Sequence, residues 1–129
     1  MKKYFFDSSL IIEFTKGNPK AVAIVQKLNI PSFQFFINPI VFSEVTYILM
    51  REVKLDMSLV IKAIQTFKIL NIDDKTVNLA IEYISQYKFR PNDALILASC
   101  KLHNLDYLVS LDSDFHTICK AENINLINS

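Results

Sequence analysis

The sequence predicts an α/β fold in which helices cover both faces of a parallel β-sheet. Short apolar segments alternate along the chain with longer segments of helical periodicity. The predicted strands are continuously apolar rather than alternately polar and apolar, which is typical of strands buried on both faces. The 129 residues contain no repeat, linker or low-complexity segment. We therefore expect residues 1–129 to form a single domain.

The first half of the chain begins with an aromatic strand and continues mainly as helices. The strand runs into Asp7-Ser8-Ser9, which are typical helix-start residues. Asn38-Pro39 is a second helix entry, with Asn as the cap and Pro at the first helical position. We predict strands at 3–6 and 32–37, and helices from about Leu10 to the break at Gly17-Asn18-Pro19, at 20–28, from Pro39 to about Val53, and from Asp56 or Ser58 to Phe67.

The second half of the chain alternates strand and helix more regularly. Asn104 stands where a helix would end in the left-handed conformation, which Asn tolerates. The predicted strands are 68–72, 107–111 and 124–127, and the predicted helices run from Asp73-Asp74 to Tyr87, over 94–103, and from 112–114 to about Cys119. Parallel sheets bind ligands beyond the carboxyl ends of their strands. Polar residues that follow a strand are therefore the first candidates for a functional site.

Composition excludes several classes of function. Gly17 is the one glycine, whereas phosphate-binding loops and dinucleotide fingerprints need at least two at fixed spacing. The net charge is +1, so contact with nucleic acid requires a local patch or metal ions. Cys100 and Cys119 form no CxxC motif and indicate reduced thiols, hence a cytoplasmic location. No apolar stretch approaches the roughly 20 residues of a membrane span, so we expect no membrane partner.

Glu44 is a carboxylate that the helical pattern does not explain. Its neighbours three and four residues away are Ile40, Val41, Tyr47 and Ile48, which predicts that it lies on the apolar, core-facing stripe of its helix. An unpaired carboxylate there is costly. It therefore requires a metal ion, a raised pKa, or a lysine or arginine partner at the edge of the stripe.

Further acids stand at strand ends and at a helix start. Asp7 follows the first strand, Asp112 and Asp114 follow the fourth, and Asp93 opens a very apolar helix. Each has an ordinary explanation as a cap or a first-turn acid. If they converge with Glu44 on one crevice, however, they cannot all remain ionised without cations. Oxygen ligands select Mg²⁺ or Mn²⁺, whose typical use is phosphoryl transfer.

Three segments carry a resemblance to a known family: YFFDSSLI at the start, NPIVFSEVTYIL in the middle, and PNDALILASCKLHNLDYLVSLDSDF near the end. In their order and spacing they resemble the PIN-domain ribonucleases, most closely the VapC-type toxins of toxin–antitoxin pairs. The resemblance covers essentially the whole chain. It implies a three-layer fold with a five-stranded parallel sheet of order 3-2-1-4-5 and helices on both faces. Asp7 and Asp112 would then meet at the switch in strand order.

The resemblance also implies roles for individual residues. Catalytic and metal-binding roles fall on Asp7, Glu44, Asp93 and Asp112, with Asp114 as a further candidate ligand; Ser8 or Ser9, together with Ser110, would order the site. In this hypothesis Asp7, Glu44 and Asp93 hold one Mg²⁺ or Mn²⁺, Asp7 with Asp112 supports a second, and water attacks an RNA phosphate in line. The implied partners are RNA, a small antitoxin whose tail crosses the active-site groove, and a second copy of the chain.

Two cations precede Asp93 in the sequence. Lys88 and Arg90 are candidates to contact RNA phosphates and to offset part of the acidic charge. Solvated charges on a connector are the more ordinary explanation. His103 and His116 are expected near the surface and Cys100 in the core, so zinc chemistry is not expected.

Three other functions remain open at this stage. The first is a non-catalytic PIN-fold binding scaffold, although a scaffold needs no acid cluster. The second is an RNA-processing PIN nuclease outside toxin–antitoxin systems. The third is a phosphatase or phosphoreceiver-like domain with Asp7 as nucleophile, although Ser8 and Ser9 stand where the common phosphatase motif has its second aspartate.

Overall fold

The computed structural model describes residues 1–28 and 33–129, within which five strands alternate with seven helices. The strands are β1 (Lys2–Phe6), β2 (Phe33–Ile37), β3 (Lys68–Ile69), β4 (Tyr107–Val109) and β5 (Leu126–Ile127). The helices are α1 (Ser8–Thr15), α2 (Pro19–Lys27), α3 (Pro39–Arg51), α4 (Met57–Ile64), α5 (Asp74–Tyr87), α6 (Pro91–Leu102) and α7 (Phe115–Ala121).

The five strands form one parallel sheet of order β3-β2-β1-β4-β5. Tyr4 of β1 pairs with Phe35 of β2 on one side and with Tyr107 of β4 on the other. The α/β fold class and the strand order implied by the resemblance are therefore confirmed. Because the chain order reverses at β1, the carboxyl ends of β1 and β4 form the switch point at which such sheets bind ligands.

The core lies around the central strands and the helix that packs on them. Phe5, Leu108 and Val109 in the strands and Ile96 and Leu97 in α6 have no exposed surface. Burying an apolar side chain of this size contributes roughly 1.5–3 kcal/mol. The carboxyl ends of β1 and β4 and the start of α6 therefore rest on the most firmly packed part of the molecule.

Capping side chains decide where two of the helices begin. α1 begins at Ser8 rather than at about Leu10, because the Asp7 carboxylate accepts a hydrogen bond from the Ser8 backbone N–H at 2.8 Å. α6 begins at Pro91 rather than at Ala94, since the fixed φ of proline suits the first helical position. The expected entries at Asn38, Asp56 and Asp73 are confirmed, as each side chain caps its helix.

Several elements are shorter than predicted. β3 ends at Ile69 rather than residue 72, and β4 ends at Val109 rather than residue 111. β5 begins at residue 126 instead of 124, and α3 and α4 end at 51 and 64 instead of 53 and 67. α7 is shifted rather than shortened, since it runs from 115 to 121 instead of from 112–114 to about 119. β2 ends at Ile37, whose carbonyl accepts the Leu70 N–H at 2.8 Å, and the pairing of β3 stops there. Ser32, predicted within β2, lies outside the described residues.

Residues outside the sheet edge agree with several simpler expectations. Asn104 adopts a left-handed conformation with a φ of 51°. His103 and His116 are exposed, and Cys100 and Cys119 are buried free thiols. None of the described helices is long and apolar enough to cross a membrane.

Candidate active site

A cavity of about 550 Å³ opens at the switch point of the sheet. Its lining residues come from the start of α1, from α3, from the start of α6 and from the turn after β4: Asp7, Ser8, Ser9, Glu44, Arg90, Pro91, Asn92, Asp93 and Asp112. Four of the five acids singled out in the sequence therefore share one cavity. Asp114 does not line it, and its side chain is 67% exposed.

Asp7 is the most buried of these acids. It follows β1 directly, is 4% exposed, and its backbone N–H bonds to Val109 at the end of β4 at 2.9 Å. One carboxylate oxygen, Oδ2, accepts hydrogen bonds from Ser110 at 2.7 Å and Ser9 at 2.8 Å, and the other accepts from the Ser8 N–H. Burial raises the pKa of Asp7, and these hydrogen bonds act in the opposite direction. The site thus holds this carboxylate in a fixed orientation at a cost in solvation.

Glu44 lies at the edge of the buried stripe of α3 rather than on it, which corrects the sequence prediction. The buried line of α3 is Val41, Val45 and Leu49, and Glu44 is half-buried. Its Oε1 accepts a hydrogen bond from the Ser8 hydroxyl at 3.1 Å, so no basic partner is needed. The side chain faces the cavity beside Ser8 instead of the core.

A buried polar contact fixes α3 against α6, and sequence analysis did not find it. Asn38 caps α3 through the Val41 N–H at 3.1 Å, and its amide donates to the Ser99 hydroxyl of α6 at 3.0 Å. The side chain of Asn38 has no exposed surface. The two helices that carry Glu44 and Asp93 are therefore held together close to the site. Asn38 and Ser99 are 61 residues apart in the sequence. The sequence therefore shows the helix cap at Asn38 but not its partner in α6.

Asp93 lies in the first turn of α6, and its environment is strongly perturbing. Burial, with smaller effects of Asp7 and Asp112, raises the pKa of Asp93 to about 6, although Arg90 acts to lower it. A first-turn acid stabilised only by the helix dipole would not show this rise. The ordinary explanation of Asp93 as a first-turn acid is therefore incomplete.

Ser110 links the two strand ends that the resemblance implied would meet. It follows β4, donates to Asp7, and its oxygen accepts the Asp112 backbone N–H at 3.0 Å. Ser9 adds a second link, since its oxygen accepts the Leu111 N–H at 3.3 Å. Asp7 and the Asp112 turn are thus tied through two serine hydroxyls. Asn92, which also lines the cavity, carried no signal in the sequence beyond its place beside Asp93.

Arg90 is the cation that meets these acids. It forms ion pairs with Asp93, Asp112 and Asp114 at 2.7, 3.0 and 3.7 Å. Arg90 therefore offsets part of the acidic charge of the cavity, which is one of the two interpretations of the sequence. The other interpretation, a solvated charge on a connecting segment, does not describe Arg90. Lys88 is exposed, ends α5 in a left-handed conformation, and does not line the cavity. Within residues 1–28 and 33–129, no group of three or more His, Cys, Asp or Glu side chains is already arranged to hold a metal ion.

Comparison with known proteins assigns the chain to a family. The PIN domain family matches residues 4–121. The chain belongs to the PIN domain family. Among curated PIN-related proteins, Ribonuclease VapC2 of Methanocaldococcus jannaschii is 31% identical over 140 residues, which cover 96% of this chain and 94% of the relative. Ribonuclease VapC6 of the same organism is also 31% identical, over 88% of this chain and 91% of the relative.

Solved structures agree with the PIN assignment. A toxin–antitoxin complex from Klebsiella pneumoniae contains a chain that superposes with a TM-score of 0.77 at 26% identity, over 89% of this chain and 92% of that one. VapC20 of Mycobacterium tuberculosis, described as a sarcin-ricin loop cleaving toxin, gives 0.74 at 14% identity over 89% and 94%, a likeness of fold alone. The resemblance to PIN-domain, VapC-type proteins noted in the sequence is confirmed.

Proposed function

We propose that this chain is a divalent-metal-dependent endoribonuclease and the toxin of a toxin–antitoxin pair, with residues 1–129 as a single PIN-like domain. The observation that carries the proposal is the convergence of Asp7, Glu44, Asp93 and Asp112 on one cavity. The two curated relatives named as ribonucleases match 96% and 88% of this chain. A binding scaffold has no need to keep a buried carboxylate such as Asp7 at this cost.

The residues around the cavity fit a hard divalent cation. Its described lining offers carboxylate and hydroxyl oxygens and includes neither His nor Cys, which favours Mg²⁺ or Mn²⁺ over zinc. Burial disfavours the charged forms of Asp7 and Asp93 and so raises the pKa of both carboxyls. A nearby dication stabilises the charged forms and offsets this effect of burial. We assign a first ion to Asp7, Glu44 and Asp93. Asp7 and Asp112 support a second, and Asp114 is a further ligand candidate at the exposed side.

The chemistry divides between the ion and the protein. A bound Mg²⁺ or Mn²⁺ supplies a Lewis acid that activates water and stabilises charge on an RNA phosphate. The chain supplies position: three hydrogen bonds orient Asp7, and one from Ser8 orients Glu44. Ligand oxygens that are already oriented need less ordering during the reaction.

Two observations bear on the substrate and on the phosphatase alternative. Arg90 lines the cavity and is exposed, and Lys88 is exposed two residues before it; we assign both to RNA phosphates. The phosphatase alternative is disfavoured, because Ser8 and Ser9 stand where the common phosphatase motif has its second aspartate.

An antitoxin and a second copy of the chain are the protein partners we propose. The support for an antitoxin is that the related Klebsiella protein was solved as a toxin–antitoxin complex. Apolar side chains on α3 and α4 are exposed and offer protein-binding surface: Phe42, Tyr47, Met57, Leu59 and Ile61. The buried free thiols are consistent with the cytoplasmic location we propose. Light scattering after size exclusion, of the chain alone and of the chain mixed with a candidate antitoxin, tests both partners.

The test of the nuclease uses purified chain confirmed to be free of antitoxin. A panel of structured RNAs is incubated with Mg²⁺, with Mn²⁺ and with EDTA, beside Asp7→Asn. We expect metal-dependent cleavage that is lost in Asp7→Asn, because the amide keeps the cap on Ser8 but removes the charge. Asp56→Asn is the matched control, since it changes a helix-capping aspartate of α4 away from the cavity and should cleave normally. Equal cleavage by Asp7→Asn and wild type would refute the assignment.

A further inference from the structure

Arg90 lies across the mouth of the acidic cavity. Its Nη2 is 2.7 Å from Asp93 Oδ2, 3.0 Å from Asp112 Oδ2 and 3.7 Å from Asp114 Oδ2. Its Nε also donates to Asp93 Oδ2 at 2.9 Å. In the described part of the chain, no other lysine or arginine forms an ion pair with these three acids. One side chain therefore bridges the start of α6 and the turn between β4 and α7.

The backbone of Arg90 is fixed, whereas its side chain can leave. Arg90 has φ −66° and ψ 142°, the extended conformation that a following proline favours. Its side chain is 64% exposed. Exposed ion pairs contribute little to stability, because water and salt screen them. The guanidinium is therefore open to water and can move into solvent when a divalent cation replaces its charge at the acids, while its point of attachment stays at the cavity mouth.

The oxygens that Arg90 contacts are ones that a divalent cation would need. Asp93 and Asp112 are two of the four acids assigned above to metal ions, so this inference rests on the proposed function. A guanidinium is a cation that donates hydrogen bonds and has no acceptor, so it repels a second cation and competes with it for the lone pairs of Asp93 Oδ2 and Asp112 Oδ2. We propose that Arg90 is a built-in counter-ion that a divalent cation displaces from Asp93 and Asp112, so that Arg90 sets the metal concentration at which the site fills.

Metal affinity is the direct test, measured by calorimetry with MnCl₂ at pH 7.5 on the full chain. Arg90→Gln removes the competing charge within a few ångströms of the acids, and we expect Mn²⁺ to bind roughly threefold to tenfold more tightly. Lys88→Gln is the matched control. It removes the same charge two residues away, where no ion pair to the acids exists, and should change the affinity by less than about twofold.

A second measurement follows Arg90 itself in the wild-type protein. The ¹H–¹⁵N signal of the Arg90 Nε, identified by its loss in Arg90→Gln, is recorded during titration with diamagnetic Mg²⁺. We expect it to move to the position of a solvated arginine as the site fills. An Nε signal that stays in place at saturating Mg²⁺ would show that Arg90 and the metal bind together, and would overturn the inference.

The outcomes separate this inference from the proposed function. If wild type binds Mn²⁺ and Arg90→Gln binds equally well or more weakly, Arg90 is not a competitor and the metal site stands. If only Arg90→Gln binds, or binds more tightly, the competition is supported. If neither binds at millimolar Mn²⁺, both the inference and the metal-dependent function fail.

Discussion

The acid at the start of α6 is expected to reduce stability while it serves the site, and Asp93→Asn measures that cost. Burial is the largest cause that raises the pKa of Asp93 from 3.8 to about 6. Since one pKa unit corresponds to about 1.4 kcal/mol, ionising Asp93 at pH 7 costs the folded, metal-free protein about 3 kcal/mol. Asparagine imitates the protonated carboxyl, so Asp93→Asn removes the cost of ionisation. The attraction between Arg90 and the ionised Asp93 needs no separate correction, because it is one of the effects that set the pKa of about 6.

The pH dependence follows from the sign of this shift. A carboxyl whose pKa is raised on folding imposes no penalty well below its unfolded pKa of 3.8, where it is protonated in both states, and its full penalty above its folded pKa of about 6. In EDTA, Asp93→Asn should therefore exceed wild type by less than about 1 kcal/mol near pH 4 and by about 3 kcal/mol at pH 7. For a chain of this size that corresponds to a rise of roughly 10 °C in Tm.

The assay is urea and thermal unfolding in EDTA from pH 4 to pH 8. Asp74→Asn is the control, because Asp74 is an exposed acid in the first turn of α5. It should lose up to about 1 kcal/mol with the helix dipole. Addition of Mn²⁺ should raise the Tm of wild type and not that of Asp93→Asn. A lower stability of Asp93→Asn than of wild type at pH 7 would refute the account of a costly carboxylate.

Three further predictions follow from the same geometry. Ser110→Ala removes a buried hydrogen bond to the Asp7 carboxylate. It should destabilise the metal-free protein by about 1.5–3 kcal/mol in urea unfolding and slow cleavage in single-turnover kinetics. Asn38→Ala removes the cap of α3 and its contact to α6 and should cost about 2 kcal/mol, checked by urea unfolding against Asn18→Ala, a cap on α2 with no contact to α6. Affinity for Mn²⁺ should rise as pH increases from 5 to 7, because protons compete for Asp93; a flat calorimetric profile would contradict this.

The fold was predictable because its signals are local and agree with one another. Continuously apolar strands and well-capped helices gave the α/β class, and the caps at Asn38, Asp56 and Asp73 marked helix entries. Strand order came from the resemblance rather than from periodicity. The strands β3, β4 and β5 are all shorter than their apolar segments predict, because a strand extends only as far as its neighbour offers a partner. Apolar sequence beyond Ile69 carries no record of where β2 ends.

The site was predictable as a set of residues but not as an arrangement. Asp7 and Asp112 follow strands, so their location at one sheet edge followed from the parallel topology. Glu44 was placed on the core-facing stripe, whereas the buried line of α3 runs through Val41 and Val45. Periodicity identifies a helix face but not how the helix is rotated against its neighbours.

The contacts of Arg90 were beyond sequence reasoning for a different reason. Asp112 lies 22 residues further along the chain. The intervening segment forms α6 and β4, and no local pattern records that their connections return to the same cavity mouth. Charge balance alone suggested that Arg90 offsets acidic charge, and the geometry adds which acids it contacts.

The central claim is that the carboxylates at the switch point hold divalent ions, and anomalous scattering from crystals soaked in MnCl₂ tests it most directly. The account predicts a Mn²⁺ peak in the cavity within coordination distance of Asp7, Glu44 and Asp93, absent in crystals of Asp7→Asn treated in the same way. Clear anomalous peaks only at other surface sites, or a cavity peak that persists in Asp7→Asn, would contradict it.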